Sequence, residues 1–145
     1  MARIKIDLPP KFSFTTNIPI RITDINFGGH VGNDTILSIV HEARAKFFQH
    51  LGHDELNFWG VGTIMSDVAI EYKDQIYYGD EVLASVTVGE ITKVAFDLFY
   101  KLDKRSANGK QSTVALAKTW MVCYDYDKKK VVAIPEAAIK KITNQ

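Results

Sequence analysis

The sequence predicts an α+β domain in which one long helix packs on a large, mostly antiparallel sheet. Three observations carry that prediction. Ile36, Val40, Ala43, Phe47 and Leu51 recur at spacings of four, three, four and four, the stripe of an amphipathic helix, and Leu37 and Phe48 widen it. Further on, Val82, Ala84, Val86 and Val88, then Val94, Phe96, Leu98, Tyr100 and Leu102, alternate with mostly polar neighbours, as half-buried strands do. Asn108-Gly109 then marks a hairpin, because both central positions of a type I′ turn take positive φ.

The chain of 145 residues suits a single domain over positions 1–145. A chain of that size hides roughly 68–70% of its unfolded surface, enough for a core without disulfides or a metal. With 46% hydrophobic and 24% charged residues it has the composition of a folded protein, which excludes a disordered chain. A net charge of +1, from 18 basic and 17 acidic side chains, lacks the electrostatic footprint of a nucleic-acid binder. The basic run Lys128-Lys129-Lys130 follows Asp125 and Asp127 and reads as a solvated hairpin tip. Cys123 is the only cysteine, so no internal disulfide or cysteine zinc cluster forms, and its apolar setting suits a small buried side chain. Met1 to Asp7 carries charges where a signal peptide needs an apolar run, and no stretch reaches the ~18 apolar residues of a membrane span. A cytoplasmic protein without membrane contact is expected.

Taken in order, Pro9-Pro10 breaks regular structure, and Phe12 to Thr23, rich in Phe, Thr and Ile, reads as a first strand. Pro19 within it favours an edge or a bulge, since it has no N–H to give to a neighbouring strand. Asp24 to Asn33 holds Gly28, Gly29 and Gly32 among polar residues and reads as a turn. The long helix follows, with Asn33 or Asp34 placed to cap its first turn and Gly52 to stop it. In Ile64 to Tyr72 the even positions Ile64, Val68, Ile70 and Tyr72 are apolar, Ser66 excepted, which reads as the next strand. Beyond the two alternating strands, Val114 to Tyr126 is apolar on both faces, as a central strand would be. Pro135 at a first helical position, Glu136 early and Lys140 and Lys141 late mark a short final helix to Ile142.

Glycine motifs for nucleotides, an H-E-x-x-H zinc pair and a G-x-S-x-G elbow are absent from the sequence. His30, His41, His50 and His53 form no recognised metal spacing, so a cofactor-free function is expected. What remains is the segment Asp24-Ile25-Asn26-Phe27-Gly28-Gly29-His30-Val31-Gly32-Asn33-Asp34 at a helix N-terminus. First-turn amides and the positive end of the helix dipole can hold an anion, or the oxyanion formed when a carbonyl is attacked. Glycines such as Gly29 and Gly32 let a substrate approach the backbone, with Asn33 and Asp34 beside it at the substrate-binding turn. Asp24, Asn26 and His30 can orient water, and Asp24 and His30 can accept a proton. The same residues also serve a plain strand-to-helix connection, and physics alone leaves the two readings equal.

From Arg21 through Phe48, then Tyr72, Gly79-Asp80 and the later strands, the chain resembles the 4-hydroxybenzoyl-CoA thioesterase-like group of hotdog proteins. That group shows a strand ending in D-x-D-x-x-G-H-V-N-N and a helix with an E-x-R-like element. Asp24 matches the first Asp, Gly29-His30-Val31 the G-H-V, Asn33 the second Asn, and Glu42-Ala43-Arg44 the helix element. The resemblance implies a sheet wrapped around the helix, subunits paired edge to edge as a homodimer or homotetramer, and active sites at the subunit interface. It also implies a small-molecule acyl thioester as substrate, with coenzyme A as part of it and no other cofactor. The thioester carbonyl would be polarised by the amide of Asn33 or a first-turn neighbour, and a carboxylate would activate water. Phe27, Phe58 and Trp59 could line an acyl pocket or belong to the core.

Two departures stand out. The second Asp of the motif, which supplies the carboxylate in many members, is Asn26, and the first Asn of the closing pair is Gly32. An amide is no base at neutral pH, and losing a general base costs on the order of 10²–10⁴ in rate. Three carboxylates could replace it. Asp24 should share Asn26's face if both lie on an extended strand. Glu42 lies about two and a half turns along the helix, with Arg44 or Lys46 as alternative partners. Asp67 interrupts an apolar strand, or faces solvent with Met65, Ala69 and Glu71. His30 reads as a hydrogen-bonding loop residue more than a base. The expected function is thioester hydrolysis on coenzyme A or a carrier protein. The alternatives are a non-hydrolytic acyl-thioester binder and a hotdog dehydratase, the latter disfavoured by a loop without proline.

Overall fold

The computed structural model describes residues 3–145; Met1 and Ala2, which open the charged N-terminal stretch, lie outside the described residues. One antiparallel sheet is built from β1 Phe14–Ile18, β2 Gly62–Tyr72, β3 Glu81–Ile91, β4 Ala95–Arg105, β5 Gln111–Asp125 and the short β6 Lys130–Val131. The strand order is β1-β3-β4-β5-β2, with β6 paired to the end of β5. α1, Asn33–His50, lies on one face of this sheet, and α2, Glu136–Thr143, closes the chain. The arrangement is the expected α+β fold, with a sheet around one long helix. No helix among the described residues is long and apolar enough to cross a membrane.

α1 forms where the stripe predicts, and it buries Ile36, Ile39, Val40, Ala43, Phe47 and Phe48. Opposite them stand Val82, Ala84 and Val86 of β3 and Phe96, Leu98, Tyr100 and Leu102 of β4. Phe48, Phe58 and Phe96 stack in the middle, with ring centroids 5.1 and 5.4 Å from Phe58. Truncating one such ring costs about 3–5 kcal/mol, from lost transfer energy plus the cavity left behind. Arg44 is the one charged side chain on this buried face, donating through Nε to Glu55 and reaching the Met65 sulfur. Cys123 is fully buried, and burial pushes its thiol up to about 11.

Several local expectations give way. The first strand is only Phe14–Ile18, because Pro19 offers no N–H and the chain then turns into one 3-10 turn at Ile22–Asp24. The helix cap is Gly32 in an extended conformation, with no side-chain cap bond, and Asn33 and Asp34 are the first two residues of the helix. The odd serine in β2 marks a bulge: the register with β5 slips between Met65 and Asp67. Ile64 therefore faces away from the core while Met65 faces it, and the alternation resumes one residue out of step at Asp67. The Asn108-Gly109 hairpin forms with a three-residue loop. Ser106 and Lys110 close it, Gly109 donates to the Ser106 carbonyl and only Gly109 has positive φ, so the turn is not type I′. Pro135 is the cap of α2 and the helix begins at Glu136. The lysine run does sit at an exposed tip, where the Asp125 carboxylate accepts the amides of Asp127 and Lys128.

Candidate active site

The first backbone bond of α1 runs from the Ile36 amide to the Gly32 carbonyl, 3.1 Å. The amides of Asn33, Asp34 and Thr35 precede that bond, and among the described residues no side chain caps them. They form an exposed cluster of unpaired donors at the positive end of an eighteen-residue helix.

The loop in front of them is held by Asn26. Its side-chain oxygen accepts the amides of Gly28 (2.9 Å) and His30 (3.4 Å), while its own amide donates to the His30 carbonyl (2.8 Å). Gly29 sits at φ 87°, a conformation that favours glycine, and Ile25 bridges to Val31 across the loop. His30 Nδ1 lies 3.0 Å from the Val31 carbonyl. A carbonyl only accepts, so Nδ1 carries a hydrogen. This contact ties the His30 ring to the loop's own backbone. Phe27 projects fully into solvent from the loop's tip, whereas Phe58 is core and Trp59 is stacked on His53 at 3.7 Å.

The connection from β2 to β3 braces this assembly from the other side. The Tyr72 hydroxyl donates to the Asn33 carbonyl at 2.9 Å, and the Val31 amide to the Ile76 carbonyl at 2.8 Å. Lys104, almost buried, donates to the Gln75 carbonyl and lies 3.5 Å from Asp74 and 3.9 Å from Asp80. The Gln75 amide, the Ser112 hydroxyl and Lys104 hold Asp74 below the usual carboxylate range. Between loop, helix start and brace lies a depression of about 250 Å³ lined by His30, Asn33, Tyr72 and Gln75. Tyr72 is part of the resemblance, but the contacts that Tyr72 and Lys104 make carry no sequence signal, because both depend on which way a strand's end turns.

The residues singled out from sequence divide into three groups. Asn26, Gly29, His30, Gly32, Asn33 and Asp34 meet at the helix start. A Cβ placed on Gly32 would lie 2.6 Å from Asp34 Oδ1 and 3.7 Å from the Asn26 side-chain nitrogen, so those two side chains flank the glycine closely. Asp24 and Glu42 share a neighbouring groove of about 190 Å³ between β1 and the open side of α1. Asp24 is not on an extended strand with Asn26. It ends the 3-10 turn, where its carboxylate accepts the Arg21 amide at 2.8 Å and pairs with the Arg21 guanidinium at 3.6 Å. Glu42 pairs with Lys46 at 3.8 Å, while Arg44 turns inward, and it stands roughly 13 Å along the axis from Asn33. Asp67 is exposed on the sheet face turned away from α1, next to Ala69 and Glu71, while the bulge puts Met65 on the opposite face. His50 and His53 take part in no metal cluster among the described residues, where no group of three or more His, Cys, Asp or Glu could hold an ion.

The profile of the thioesterase-like superfamily matches residues 20–142. A search of curated proteins found no match to the sequence. Among solved structures, the fold is similar to 4-hydroxybenzoyl-CoA thioesterase from a Pseudomonas species, with a TM-score of 0.81 at 17% identity over 90% of this chain and 99% of that one. It is similar also to a 1,4-dihydroxy-2-naphthoyl-CoA thioesterase from Synechocystis, with a TM-score of 0.78, 19% identity and 90% and 96% of the two chains covered. A protein described as a predicted thioesterase from Bacillus stearothermophilus gives 0.78 at 22% identity, covering 90% and 94%. The sheet around a long helix is thus the hotdog fold.

Proposed function

Because the chain belongs to the thioesterase-like superfamily, we propose that it hydrolyses an acyl-CoA thioester at the start of α1. The observation that carries this reading is the cluster of unpaired first-turn amides, exposed above a glycine loop that Asn26 holds open. Such donors are fixed before the substrate arrives, so they stabilise the oxyanion without reorganising when it forms. Coenzyme A enters as part of the substrate, and attack by water calls for no further cofactor. Phe27, standing free beside the glycines, is placed to meet the acyl group. The two named thioesterases of similar fold act on aromatic acyl-CoAs, which puts aromatic esters among the substrates to try. The chain works as a homodimer joined along the unpaired edge of β2, which brings the partner beside Tyr72 and the helix start.

The test is thiol release from short, long and aromatic acyl-CoAs by the wild type beside Asn26→Asp. Turnover of at least one ester by the wild type supports hydrolysis. The second reading, a non-hydrolytic acyl-thioester binder, is favoured by one observation: the Asn26 oxygen is engaged by two loop amides, and an amide takes no proton. Tight acyl-CoA binding with no thiol release by the wild type would decide for the binder.

A further inference from the structure

The geometry points to Asp34 as the general base of this site, a carboxylate moved from the loop onto the first turn of the helix. The inference rests on the hydrolytic reading above. In the related motif the loop carries an Asp where this chain has Asn26, and an Asn where it has Gly32. Those two departures have one explanation here. The Asp34 carboxylate folds back over Gly32, so close that a Cβ there would sit 2.6 Å from Oδ1, and the Asn26 amide nitrogen flanks the same point at 3.7 Å. The glycine leaves the space, and Asp34 brings a carboxylate into it beside the position the loop Asp has lost.

The other carboxylates are occupied or remote. Asp24 is tied to the Arg21 amide and guanidinium. Glu42 is paired with Lys46 more than two turns along the helix, and Asp67 lies across the sheet. Asp34 is exposed and enters no side-chain hydrogen bond or ion pair among the described residues, so its carboxylate is open to an approaching water. Its place in the first turn keeps it within reach of a carbonyl held by the amides of Asn33 to Thr35.

The step balances without another reactant. Asp34 takes a proton from water as the water oxygen bonds to the thioester carbon, and the first-turn amides hold the resulting oxyanion. When that intermediate collapses, the carbon–sulfur bond breaks, and the proton on Asp34 passes to the departing thiolate. The products are the free acid and coenzyme A, and the carboxylate is restored. The Asn26 side-chain nitrogen, which only donates, is available to orient the water while the oxygen holds the loop.

The experiment follows thiol release from the acyl-CoA that the wild type turns over best, for wild type, Asp34→Asn, Gly32→Ala, and Asn26→Asp combined with Asp34→Asn. Asp34→Asn is expected to lower kcat by about 10²–10⁴ with KM little changed, and to remove the acid limb of the kcat/KM profile. Gly32→Ala, which displaces the carboxylate without removing it, is expected to lower kcat by roughly ten- to a hundredfold. It serves as the second variant should Asp34→Asn fold poorly. The double variant returns a carboxylate to the loop and is expected to recover part of the rate, which a merely structural Asp34 would not allow. If the wild type turns over and Asp34→Asn keeps its rate and acid limb, Asp34 is not the base, though hydrolysis stands. If the wild type releases thiol from no ester, the hydrolytic reading fails and the base with it.

Discussion

Asp97 shows how much a single residue's surroundings decide. It lies on β4 facing away from α1, opposite Trp120 of β5, and is 4% exposed. Among the described residues its Oδ1 has no hydrogen-bond partner, and the Lys118 ammonium stands 3.9 Å away. Burial raises its pKa; Lys118 works against this, and Glu90 and Asp67 add to it. A carboxyl whose pKa is raised by folding contributes stability that is present below its unfolded value and lost as pH rises through the folded one. At neutral pH the ionised group is therefore a burden. Asp97→Asn is expected to raise the melting temperature at neutral pH by roughly 2–4 °C, since an unsatisfied buried group costs about 1 kcal/mol or more. The gain should vanish in acid, and thermal melts of both proteins at the two pH values check it. Equal melting temperatures at neutral pH would show that a water satisfies the orphan oxygen. In the sequence Asp97 is only the polar partner of Phe96 and Leu98. Its position on the outer face is legible there, but its burial is not, because that depends on Trp120 and Lys118 from another strand. The same holds at the helix start. The loop of Asn26, Gly29 and His30 announces itself in the motif, whereas the fold of the Asp34 carboxylate over Gly32 is a rotamer choice that no spacing records.

At the scale of elements, periodicity located β3, β4 and α1, because each is long enough for its buried face to repeat, and a run apolar on both faces located β5. It failed where one residue breaks the repeat. The bulge at Ser66 throws β2 out of step, and Pro19 ends β1 early and leaves Asp24 in a 3-10 turn. The end of α1 is the opposite case, legible from one glycine. Gly52, at φ 87°, donates to the Gln49 carbonyl at 2.9 Å and His53 donates to that of Phe48 at 2.9 Å, the paired bonds of a Schellman motif. A side chain at that φ costs about 1–2 kcal/mol. Nothing lies within 4 Å of a Cβ added there, so the penalty is purely conformational. Gly52→Ala is expected to lower unfolding free energy by about that amount in urea while thiol release stays unchanged, since the site proposed above is at the other end of the helix. An unchanged denaturation midpoint would mean that the turn relaxes to negative φ.

The whole molecule has two sheet edges of unequal character. β1 is a five-residue strand ended by Pro19, a short edge that offers little to another chain. β2 runs eleven residues, pairs among the described residues only with β5, and leaves Val68 and Ile70 half-buried and Tyr72 48% exposed on the side that faces the helix. A long apolar edge of that kind invites another strand, and the same edge ends at the hydroxyl that holds the Asn33 carbonyl. Pairing two copies along β2 would cover those side chains and fix Tyr72. The register of the helix start, and with it the aim of the first-turn amides, would then depend on the partner. Assembly and activity should therefore fall together. Light scattering is expected to give twice the chain mass at micromolar concentration. On dilution through the dissociation range, thiol release per chain should drop in step with the fraction paired. Constant activity per chain across that range would show that each copy completes its own site and that β2 pairing, where present, is only cover for an edge.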